Sequence, residues 1–88
     1  MRVAVVWRDN TDYAREVTEW MSEFSRETGR EVESIDPDTV DGEIFVRARD
    51  IMQFPTVLAL TDDGVVLTEW RGKPLPQFSD VLYRVREM

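Results

Sequence analysis

The sequence predicts an α/β domain in the order β-α-β-α-β-β-α, with a four-stranded mixed sheet and helices on both faces. Three observations predict it. Val-rich runs alternate with stretches of helical periodicity. The first two apolar runs are separated by a helix, so their strands must be parallel with a right-handed crossover. The last two are separated by Asp63-Gly64, a tight-turn dipeptide, so they form an antiparallel hairpin.

The elements follow in order. RVAVVW is Val-rich and reads as a buried central strand over residues 3–7. A helix begins by Tyr13, where Tyr13, Val17, Trp20, Met21 and Phe24 form one apolar stripe. Gly29 ends it as a C-cap, with Arg26 and Arg30 near the negative end of the dipole. The segment 31–36 alternates around Val32 and Ile35, and Pro37 breaks this second strand. A second helix is expected over 39–50, with Ile44, Phe45 and Ala48 on its packed side. Strands follow at 55–60 and 65–70, and Gly72, Pro74 and Pro76 punctuate the exit. The final helix carries Phe78, Val81, Leu82 and Val85 at i, i+3, i+4 and i+7. No repeat or linker divides the chain, so residues 1–88 are read as a single domain of 88 residues. A folded chain of this size buries roughly 60–65% of its unfolded surface, enough for a thin core.

Composition restricts function more sharply than any motif. Cysteine and histidine are both absent. Disulfide exchange, thiolate metal sites and imidazole bases are therefore unavailable to this chain. Eighteen acidic and eleven basic side chains give a net charge of −7. Such a charge repels nucleic-acid phosphates and anionic membranes and promotes solubility. No apolar run approaches the ~20 residues of a membrane span, and the leading MRVAVVWRDN is too short for a signal-peptide core. The expectation is a cytoplasmic protein that engages neither nucleic acid nor membrane. The carboxylates Asp36, Asp38, Asp41 and Glu43 depart from calcium-loop spacing and read as turn and cap residues, with no metal and no cofactor. Glu19, Glu23 and Glu27 form a like-charged ladder on the outer helix face, offset by Arg26 and Arg30.

The run Met52-Gln53-Phe54-Pro55-Thr56-Val57-Leu58-Ala59-Leu60, followed by Asp63-Gly64 and then Gly72, resembles the second half of thioredoxins and glutaredoxins, and Ser34-Ile35-Asp36 resembles that family's second strand. The resemblance implies a minimal thioredoxin-like fold with a cis peptide before Pro55. It also places the loop Asp9, Asn10, Thr11, Asp12, Tyr13 at the position of the family's Cys-x-x-Cys motif, with Asn10 and Tyr13 where the cysteines would stand. An amide and a phenol cannot exchange disulfides, so no catalytic residue is assigned. The loop residues Asn10, Thr11 and Asp12 are expected to cap the first helix. Asp9 and Asp12 argue against an anion site there. A single Gly72 and the FPT triplet depart from the glutathione-binding pattern of glutaredoxins.

In the family, the residue before the cis-proline offers its backbone to an extended peptide, a short form of strand addition. The resemblance assigns that role to Phe54, and Trp7, Pro55 and Thr56 complete the candidate peptide-binding set. The sequence-level expectation is a non-redox, thioredoxin-like binding or adaptor module for a protein or peptide partner. Two alternatives stand beside it: an accessory protein of a thioredoxin or glutaredoxin redox system, classed as an oxidoreductase by fold alone, and a structural or oligomerisation module.

Overall fold

The computed structural model describes the backbone of residues 1–86 and the side chains up to Tyr83; Val85, the last position of the expected terminal stripe, lies outside the described side chains. The elements are β1 (Arg2–Val6), α1 (Ala14–Thr28), β2 (Val32–Ile35), α2 (Val40–Ala48), β3 (Thr56–Leu60), β4 (Val66–Arg71) and α3 (Phe78–Arg86). They match the expected order, with ends moved by one or two residues. The strands form one sheet in the order β2-β1-β3-β4. β1 pairs parallel with β2, Val3 opposite Val32, and antiparallel with β3, Val5 opposite Val57. β3 and β4 are antiparallel, with a register shift at Ala59/Leu60.

β1 is covered on both faces, which is why its sequence is apolar on consecutive residues rather than alternate ones. Its side chains divide by parity. Val3 and Val5 join Val17, Trp20, Phe24, Val57 and Val81 beneath α1 and α3. Ala4 and Val6 join Ile51, Leu58 and Leu60 on the face covered by Phe45 and Val46 of α2. Both faces of the sheet therefore carry a helix layer.

The α1 stripe packs as its spacing requires. Val17, Trp20 and Phe24 are buried, and Met21 is half-buried. Trp20 stacks on Phe24 at 5.1 Å, and Phe78 of α3 meets both rings edge-on at 5.5 and 5.4 Å. Such contacts add about 0.5–1.5 kcal/mol each beyond area burial. The Trp20 indole N–H donates to the Pro76 carbonyl (2.9 Å), which ties the loop before α3 to α1. Gly29 closes the helix in the left-handed region (φ 71°), its N–H bonded to Ser25. On the outer face Glu19 pairs with Arg15 and Glu23 with Arg26.

α2 is rotated relative to expectation. Phe45 and Val46 face the sheet, whereas Ile44 is 62% exposed and Ala48 is exposed. The cause is Gly42, which is buried so tightly against the preceding turn that an added Cβ would lie 1.8 Å from the Asp36 carbonyl oxygen. Gly42, Phe45, Val46 and Arg49 form the inward stripe at i, i+3, i+4 and i+7. Thr39 caps the helix by accepting from the Gly42 N–H (3.0 Å), while its hydroxyl donates to the Asp36 carbonyl (2.8 Å). Arg49 ends the helix with its guanidinium 3.9 Å from the Phe45 ring centroid and bonded to the Gly64 carbonyl (2.9 Å). Among the described residues, no helix is long and apolar enough to cross a membrane.

Candidate functional site

Beyond β1 the chain enters residues 7–13. Trp7 extends the parallel pairing by one residue, its N–H donating to the Ile35 carbonyl (3.1 Å). Its indole N–H donates to Ser34 Oγ (2.8 Å), and the ring packs with the cluster beneath α1. The turn then closes on Arg8. The Arg8 N–H donates to the Tyr13 hydroxyl (3.1 Å), and the Thr11 hydroxyl donates to the Arg8 carbonyl (2.9 Å). Asn10 sits at φ 58°, a conformation asparagine tolerates better than most side chains.

This closure overturns the expected cap. The residue preceding the first turn of α1 is Tyr13, and no side-chain hydrogen bond caps the helix. The hydroxyl of Thr11 is committed to Arg8, and Asp9, Asn10 and Asp12 are exposed. Their placement leaves the start of α1 beneath a polar, acidic surface.

The second wall of the site is the segment before β3. The Phe54–Pro55 peptide is cis, and so is Lys73–Pro74, which the sequence reading did not anticipate. Pro55 is buried and its carbonyl accepts from the Gly72 N–H (2.8 Å). Thr56 is completely buried, its hydroxyl donating to the Gln53 carbonyl (2.6 Å), so it shapes the segment from within. Phe54 is half-buried against the α2-side cluster. Among the described residues, neither its N–H nor its C=O has a backbone hydrogen-bond partner.

Arg8 joins the two walls. Its guanidinium lies 4.7 Å from the centroid of the Phe54 ring. It also makes a two-pronged ion pair with Asp38, Nε to Oδ2 at 3.0 Å and Nη2 to Oδ1 at 3.1 Å. Asp38 is itself set by its N–H donating to Asp36 Oδ1 (2.9 Å). The Asp38 hydrogen bonds raise the pKa of Arg8 above its ordinary value. Three segments thus converge at one end of the sheet: the loop after β1, the turn before α2 and the cis-proline segment. Arg8 and Asp38 are the residues sequence reasoning missed. An Arg and an Asp thirty positions apart, each in a polar turn, carry no periodic signal that would pair them.

The predicted site residues are not all brought together. Trp7 and Phe54 pack on opposite faces of the sheet, so they do not form the two sides of one groove. Of the candidate peptide-binding set, Pro55 and Thr56 are buried, and Phe54 is half-buried with its ring under Arg8. Phe54 and Pro55 line neither of two open grooves elsewhere. One, of about 580 Å³, lies between α1 and the start of α3 and is lined by Glu16, Glu19, Glu23, Trp20 and Phe78 among others. The other, of about 330 Å³, lies between β2 and the start of α2.

No family model matches the sequence, and no curated protein matches it. Solved structures do. Thioredoxin 1 from Thermosipho africanus superimposes with a TM-score of 0.70 at 13% identity, over 99% of this chain and 92% of that one. Thioredoxin O2 from Arabidopsis thaliana in the oxidised state gives 0.69 at 14% identity, over 99% of this chain and 73% of that one. A malarial protein gives 0.67 at 13% identity, over 97% and 92%.

Proposed function

The chain has the thioredoxin fold without a cysteine, and from that premise we propose that it works by recognition: a non-redox domain that binds an extended segment of a protein or peptide along Phe54. One observation carries the reading. The backbone N–H and C=O of Phe54 have no backbone partner among the described residues, whereas the next carbonyl, on Pro55, is already taken by Gly72. An extended chain laid beside Phe54 would gain a pair of main-chain hydrogen bonds at a fixed register, which is how strand addition supplies affinity. Buried Thr56 holds the segment from beneath, its hydroxyl donating to the Gln53 carbonyl.

The loop at the redox position supports the same reading by what it lacks. Asn10 and Tyr13 cannot form or attack a disulfide, and the Tyr13 hydroxyl is engaged with the Arg8 N–H. In this reading Arg8 lies across Phe54 and meets the incoming segment first.

The test compares proteins captured from cell lysate by the wild-type chain and by Phe54→Ala, with the fold checked by circular dichroism. A partner retained by the wild type and lost by the variant supports the assignment. Identical partner sets would remove this segment from consideration. An insulin-reduction assay on the wild-type chain should show background rate only, because no thiol is present.

A further inference from the structure

The outward face of α2 carries a second surface, separate from Phe54. Val40, Ile44 and Ala48 recur every four residues, so they form one ridge along the helix. Val40 is 77% exposed, Ile44 62%, and Ala48 is exposed. The inward stripe through Gly42, Phe45 and Val46 already anchors the helix, so the ridge has no packing role within the chain. Two exposed β-branched residues thus stand in register on one helix.

We propose that this ridge is a two-fold interface with a second copy of the same chain, α2 packed antiparallel on α2. Two features favour a copy of itself as occupant. The ridge is self-complementary in volume: with Ile44 on the two-fold axis, Val40 of each chain meets the small Ala48 of the other, as an isologous contact requires. It is also self-complementary in charge. Acidic Asp41 and Glu43 occupy the first turn and basic Arg47 the last. Glu43 and Arg47 share one flank, where they form an exposed ion pair within the helix at 3.1 Å. Reversing the helix direction brings Glu43 of one copy beside Arg47 of the other, on both sides of the axis.

The contact is weak. A nine-residue helix is only about 13 Å long, too short to bury the ~800 Å² per partner of a standard stable interface. The net charge of −7 on each copy also opposes approach.

Sedimentation equilibrium of the full chain tests the proposal at ~0.15 M salt, where long-range repulsion is screened beyond ~8 Å, and from ~10 μM to ~1 mM, the range of weak association. The weight-average mass of the wild type should climb toward that of a dimer within that range. Ile44→Lys, with Ile44→Ala in its place should lysine disturb the helix, should weaken association at least about tenfold. Glu43→Arg and Arg47→Glu should each weaken it alone, and an equimolar mixture of the two should restore it as a heterodimer. A wild type that stays monomeric at ~1 mM, a dimer indifferent to substitution of Ile44, or a mixture no tighter than its components would each overturn it.

Discussion

The Arg8 guanidinium stands 4.7 Å from the centre of the Phe54 ring while gripping Asp38 with both prongs. One side chain thereby fastens the loop after β1 to the turn before α2 and covers the residue proposed to receive a peptide. Arg8 is 44% exposed and Asp38 63%, so solvent screens much of the attraction. Arg8→Ala should therefore fold normally and lose only a little stability in urea denaturation. Arg8→Lys should recover less than half of that loss, because an ammonium has neither the planar face nor the fork.

The Tyr13 hydroxyl is the only described acceptor for the Arg8 N–H. Its ring packs against the cluster beneath α1, so Tyr13→Phe keeps the packing and removes only the acceptor. The expected cost is at most about 1 kcal/mol, since water reaches the vacated N–H. Amide exchange at Arg8 should accelerate, while exchange in β1 should not.

Gly42→Ala separates intrinsic helix propensity from tertiary contact. In an isolated helix, alanine would gain up to about 1 kcal/mol over glycine. Here the new methyl would lie 1.8 Å from the Asp36 carbonyl oxygen and 2.8 Å from the Thr39 hydroxyl that caps the helix. We expect destabilisation of about 3 kcal/mol, the upper end for overpacking against backbone. A stabilised variant would show that α2 is not seated on this turn.

Arg2 and Glu33 join β1 to β2 through paired hydrogen bonds of 2.6 and 2.8 Å. The hydrogen bond from Arg2, opposed in part by burial and aided by its charge, holds the Glu33 carboxyl below its ordinary pKa. A carboxylate with a lowered native pKa contributes its full stability above the ordinary carboxylate range. The contribution fades as pH falls through the lowered native value, because the unfolded chain then binds the proton first. Glu33→Gln should cost about 0.5 kcal/mol at neutral pH, the part-exposed pair being screened. Wild type and variant should converge in denaturant midpoint as the solution is acidified.

Much of the fold was legible because its signals are local. Gly29, Asp63-Gly64 and the Val17–Trp20–Phe24 spacing each encode a conformation within a few residues of themselves, and the structure contains all three as read. α2 was misread because its inward stripe holds a glycine and an arginine, Gly42 and Arg49, which a hydrophobic pattern passes over. Ile44 took their place in the expectation and stands in solvent. The geometry of the candidate site was legible in part: the segment at Phe54 and the loop at Asp9 to Tyr13 lie at the same end of the sheet, linked through Arg8. That Trp7 belongs to the other sheet face follows from its parity with Val3 and Val5 and needed only consistent alternation.

The sequence by itself determined the order of strands and helices, and it removed thiol chemistry by containing no cysteine. Only the tertiary structure decided that Arg8 reaches Asp38 and Phe54, that Thr11 bonds Arg8 instead of capping α1, and which side of α2 meets the sheet. Periodicity reports what a residue does within one turn or one pleat. Contacts such as Arg8 with Asp38, thirty positions apart, arise from strand register, which exists only once the sheet has assembled, and the facing of α2 follows from the close approach of Gly42 to the Asp36 carbonyl.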